Sequence, residues 1–101
     1  MAALAHAGVA EGISLNAKAH ELYMEARYAD AEVLYRKALG EFEEPGIGRA
    51  ATLQNLGVLL RTQGRYAEAR VKLEDAHTQF EALTGAESLS GIRTIDSLRA
   101  G

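Results

Sequence analysis

The chain has 101 residues, 25% of them charged and 48% hydrophobic, with a net charge of −3, one proline and no cysteine. That length holds one compact domain, and the balance is that of a folded chain, not a disordered one. With 11 Lys+Arg against 14 Asp+Glu, the chain lacks the basic surface that neutralises many phosphates, and without cysteine it has no disulfide, thiolate metal site or cysteine nucleophile.

The expectations that follow are no nucleic-acid partner and a cytoplasmic, reducing setting. The opening MAALAHAGVAEGISL has no basic start, and Glu11 interrupts its apolar stretch before a signal peptide or membrane span could form, so no membrane partner is expected either. Residues 1–11 are read as an N-terminal extension. Leu15, Ala19, Leu22 and Ala26 recur at helical steps and predict a first helix. Ala26 stands where that helix would close in left-handed geometry, which costs an alanine ~1–2 kcal/mol, so a looser turn is expected there. Ala31, Leu34, Tyr35, Ala38, Leu39 and Phe42 then mark a second, amphipathic helix. The stretch from Glu44 to Gly48 (EPGIG) breaks the pattern, since proline stops a helix. Leu53, Leu56, Gly57 and Leu60 predict a third helix, closed at Gly64, where glycine takes the left-handed conformation without steric cost. A fourth carries Ala69, Leu73, Ala76, Phe80 and Leu83, Gly85 marks the next break, and Ile92, Ile95 and Leu98 form a last apolar stripe. No segment alternates with period two well enough to be a strand.

Two of these segments are copies. Arg27 to Ala38 (RYADAEVLYRKA) aligns with Arg65 to Ala76 (RYAEARVKLEDA) at an offset of 38, and Leu15, Ala19 and Leu22 align in the same register with Leu53, Gly57 and Leu60. Thr52 to Leu56 recurs as Thr94 to Leu98 at an offset of 42. The expected units are repeat one at about 12–44, repeat two at about 48–84, and a half repeat or capping helix at about 88–100, together a domain over 12–101.

The sequence of Leu53, Leu56, Gly57, Leu60, Gly64, Tyr66, Ala69 and Ala76 resembles the tetratricopeptide repeat, and unit one follows it through Leu15, Ala19, Leu22, Tyr28, Ala31, Tyr35 and Ala38. Unit one departs at Ala26 and at Lys18, where the motif prefers an apolar residue. Offsets of 38 and 42 exceed the usual ~34 and resemble the longer, kinesin-light-chain-like variant. The resemblance implies an all-α fold of antiparallel helix-turn-helix repeats stacked in a right-handed superhelix. It also implies a protein- or peptide-binding module, an adaptor or scaffold, and no enzyme. Tyr28 and Tyr66 are expected to fill the wedge between one helix pair and the next, and the small residues Ala19, Gly57, Ala31 and Ala69 to let helices approach closely.

Catalytic and metal chemistry have no visible constellation. His20-Glu21 begins like the HExxH zinc motif, but the second ligand position holds Met24, a poor zinc ligand. The glycines of Gly46 to Ala51 (GIGRAA) echo a dinucleotide fingerprint, yet no strand precedes them. His6, His20 and His77 are far apart and no nucleophile is placed beside them. The acidic run Glu41 to Glu44 (EFEE) reads as a solvated helix end. No cofactor is expected.

In stacked helix pairs the first helix of each lines the concave side, so its residues outside the core are the candidate groove. These are Asn16, His20, Tyr23 and Met24 in unit one, and Gln54, Asn55, Val58, Arg61 and Thr62 in unit two. The half repeat adds Arg93, Asp96 and Ser97. Some relatives clamp a terminal carboxylate with lysines and asparagines. Asn55 and Arg93 fit that clamp, but Asn16, His20 and Ser97 replace three of its members, so chaperone-tail binding is not expected. Asn55, able to bond a peptide backbone in two directions, is the first candidate. The alternative is a structural module that self-associates into a homo-oligomer through its terminal helix, or a piece of a longer array.

Overall fold

The computed structural model of the chain describes residues 2–84, with side chains from residue 8 to residue 83. Four α-helices and no strand lie within them: α1 (Ala2–Met24), α2 (Tyr28–Glu41), α3 (Ile47–Thr62) and α4 (Tyr66–Thr84). α1 with α2 and α3 with α4 form two helical hairpins, and α3 packs against α2 and α1 as well as α4. α1 runs back through residues 2–11, so the segment read as an N-terminal extension is continuous with the first helix of unit one. The expected half repeat, with Gly85, Ile92, Ile95 and Leu98, lies outside the described residues.

Because α3 packs against three helices, it is the most deeply buried of the four and buries Ala50, Thr52, Leu53, Leu56, Gly57, Leu59 and Leu60. Leu56, Leu59 and Leu60 join Ala19, Leu22, Ala31, Tyr35 and Ala69 in one core that spans both hairpins. Thr52 is accommodated there by donating its hydroxyl to the Gly48 carbonyl at 2.9 Å. The repeat is visible in the packing: Ala31 and Ala38 are buried in unit one as Ala69 and Ala76 are in unit two. Gly57 has to be small, since a Cβ there would stand 2.6 Å from Leu73 Cγ and 3.3 Å from the Ala69 carbonyl oxygen. Lys18, the departure from the motif, is exposed and pairs with Glu21 at 3.6 Å. Its counterpart Leu56 is fully buried. The difference is one of neighbours: α3 has α2 ahead of it, whereas no described helix lies ahead of α1.

The expected looser turn at Ala26 is not found. Ala26 takes φ 64°, as Gly64 takes φ 80°. Both turns close with the same two bonds, Arg27 N–H to Leu22 O at 2.8 Å and Ala26 N–H to Tyr23 O at 2.9 Å, matched by Arg65 to Leu60 and Gly64 to Arg61 at 2.9 Å each. Satisfying the helix-end carbonyls and docking α2 hold the alanine in its strained geometry. Ala26→Gly should therefore stabilise the fold by about 0.5–1 kcal/mol, the relieved strain less the greater chain entropy of glycine. Gly64→Ala should cost a similar amount, and urea titration of the two variants reads both signs.

The α2–α3 connection turns on Phe42. Its ring is buried between two glycines: a Cβ on Gly12 of α1 would lie 2.6 Å from Phe42 Cζ, and one on Gly48 of α3 would lie 2.5 Å from Cε1. Arg49 donates to the carbonyl oxygens of Leu39 and Phe42 at 3.1 and 2.9 Å, satisfying acceptors at the end of α2.

Charges join the outer helices. Glu32 and Arg36 of α2 pair at 2.8 Å, and across the hairpins Arg65 meets Glu32 at 2.8 Å and Arg36 meets Glu68 at 2.9 Å. The bond from Arg65 holds the Glu32 carboxyl below its ordinary pKa against the opposing effect of burial, with Arg36 adding to it. At the positions equivalent to Glu32 and Arg36, unit two carries Arg70 and Glu74, paired at 3.2 Å with the signs exchanged.

The two turn tyrosines differ. Tyr28 is half-buried against the core, its ring centroid 5.5 Å from that of Tyr23. Tyr66 is 67% exposed; the half repeat expected to pack over it lies outside the described residues.

Candidate peptide-binding groove

The side chains proposed for the groove lie on α1 and α3, the first helix of each hairpin, which pack against each other directly. Asn55 donates from Nδ2 to Asn16 Oδ1 at 3.2 Å across the two helices. Each amide has two donors and two acceptor sites, so this one bond leaves most of the pair's capacity unused. Two turns further along, the Tyr23 hydroxyl lies 3.2 Å from Thr62 Oγ1, and Thr62 donates to the Val58 carbonyl at 2.9 Å. The His20 ring stacks on Tyr23 with centroids 6.3 Å apart and planes at 24°. Two contacts, Asn16–Asn55 and Tyr23–Thr62, thus bridge the α1–α3 seam, the second flanked by His20 and Val58.

Other candidates stand apart. Gln54 is exposed on α3 and Met24 is exposed at the end of α1. Arg61 turns to the other flank of α3, where it shares a cavity of about 610 Å³ with Tyr66, Leu73 and His77. Arg93, Asp96 and Ser97 lie outside the described residues. Among the described residues no group of three or more His, Cys, Asp and Glu could hold a metal ion. No described helix is long and apolar enough to cross a membrane. Gly48, part of the weak dinucleotide echo, is explained by the Phe42 ring against it.

Two features escape reading of the sequence. One is the ion-pair network from Glu32 to Glu68, whose signal was the charge at the turns. The other is an apolar mouth at one end of the seam, where Val9 and Ile13 of α1 face Ile47 of α3 over Phe42. Val9 and Ile13 are one helical turn apart and off the core stripe, which is the trace they leave in the sequence.

The family model described as tetratricopeptide repeat matches residues 49–91, a span that takes in α3 from its first turn, the Gly64 turn and all of α4. The α3–α4 hairpin is thus similar to a tetratricopeptide repeat, and the α1–α2 hairpin repeats its packing and its turn. Repeats of this family are in general protein-interaction modules and typically non-enzymatic scaffolds. No curated protein and no solved structure matched the chain.

Proposed function

We propose that the chain is a cytoplasmic adaptor or scaffold module that binds a protein partner through an extended peptide laid along the α1–α3 seam, the concave face of hairpins stacked in a right-handed superhelix. The observation that carries this reading is the Asn16–Asn55 pair. Two neighbouring amides with spare donors and acceptors can bond the N–H and C=O groups of a peptide backbone whatever its side chains. The stacked His20 and Tyr23 rings beside them offer flat apolar surface for a side chain. The self-association reading depends on Ile92, Ile95 and Leu98, which lie outside the described residues, whereas the seam stands on described contacts.

The test is selection from a random displayed peptide library on the full chain, followed by affinity measurement on a synthetic copy of an enriched peptide. Asn16→Ala with Asn55→Ala should weaken binding roughly tenfold or more, since each lost hydrogen bond is worth ~0.5–1.5 kcal/mol. Val71→Ser, at an exposed site on α4, should leave it unchanged. Binding that survives the double substitution but falls with Val71→Ser would overturn the assignment of the face.

A further inference from the structure

We infer that the mouth of the seam is a subsite for an aliphatic side chain of the partner peptide, flanked in that peptide by Lys or Arg. The inference rests on the peptide-binding reading above and adds the partner's chemistry to it. A groove of about 900 Å³ opens where α1 and α3 meet the α2–α3 connection. Phe42 supplies its floor, buried between Gly12 and Gly48, so the floor is rigid. Val9, Ile13 and Ile47 form its walls at 45%, 57% and 58% exposure. Three large aliphatic side chains left in water around one concavity are surface that an apolar group would cover with gain. Asn16, at the inner end of the same groove, connects it to the amide pair.

The rim determines what sits beside that apolar group. Glu41, Glu43 and Glu44 line one side and make no ion pair with any described residue. Among the described residues the lining holds one cation, Arg49, and it directs its guanidinium at the carbonyl oxygens of Leu39 and Phe42. The rim is therefore net negative with its carboxylates unspent. An acidic peptide would be repelled there, and a basic one drawn in and oriented.

The same library selection tests this with different variants. The unaltered chain should enrich peptides in which Ile, Leu or Val neighbours Lys or Arg. Glu43→Lys with Glu44→Lys, both at exposed positions, should shift the enriched flank to Asp or Glu, and Ile13→Asp should weaken a synthetic enriched peptide by roughly tenfold or more. Circular dichroism verifies that each variant keeps its helices. The inference falls if the enriched peptides show no apolar–basic bias, if the bias survives charge reversal, or if Ile13→Asp changes nothing. Peptides that lose binding with the Asn16 and Asn55 substitutions but ignore the mouth variants would leave the peptide-binding reading standing and overturn only this one. A library that yields no enriched sequence counts against both.

Discussion

Tyr35→Ala should lower the stability by about 3–5 kcal/mol, the cost of deleting a fully buried aromatic ring. Tyr35 is 1% exposed and belongs to the cluster that holds residues of all four helices, from Ala19 on α1 to Ala69 on α4. Its loss would open a void where the hairpins meet, so both should loosen together. A domain of this size has only about 5–15 kcal/mol of stability, which puts the variant near unfolding at ambient temperature. Urea unfolding followed by circular dichroism measures the change. A midpoint that barely moves would mean that the two hairpins do not share a core.

The second large effect is expected at Phe42, where a double-mutant cycle makes the geometry visible. Phe42→Ala should cost about 3–5 kcal/mol by removing the ring that separates α1 from α3. Gly48→Ala alone should also destabilise, by about 1–3 kcal/mol from overpacking, because the ring cannot retreat: Gly12 stands against its other side. Once Phe42 is alanine, the obstacle is gone and Gly48→Ala should become stabilising by about 0.5–1 kcal/mol, the ordinary preference of a helix for alanine over glycine. That reversal of sign is the result to look for. Strict additivity of the two substitutions would show that the ring is not held between the glycines.

Much of this fold is legible in the sequence because its helices obey a strong period. Leu53, Leu56 and Leu60 mark α3 by spacing alone, and Pro45 with Gly46 marks the break before it. Ala26 misleads, since local sterics count the strain of a left-handed alanine but not the two turn bonds and the packing of α2 that hold it there. Gly12 and Gly48 look like weak points in helices until the Phe42 ring is seen between them. For the candidate groove, the sequence identifies which residues of α1 and α3 lie off the core stripe. It does not identify who meets whom. The repeat register makes Gln54 the counterpart of Asn16, but equivalence is not contact, and the hydrogen bond across the seam goes to Asn55. Arg61 reads as part of the same row but sits on the far flank of α3.

The exchanged charges at Arg70 and Glu74 give the α4 face a different selectivity from the α2 face. Unit one receives its neighbour through Glu32 and Arg36, which accept an arginine and then a glutamate from the next turn. Unit two presents arginine and then glutamate at the same two places. A turn with the charges of Arg27 and Asp30, the counterparts of Arg65 and Glu68, would meet like charges at both points on α4. Juxtaposed like charges disfavour that encounter as directly as opposite ones favour the native joint. Among the described residues the α2 and α4 faces are therefore not interchangeable: α2 suits a turn that carries the base first and the acid second, and α4 one with the order reversed.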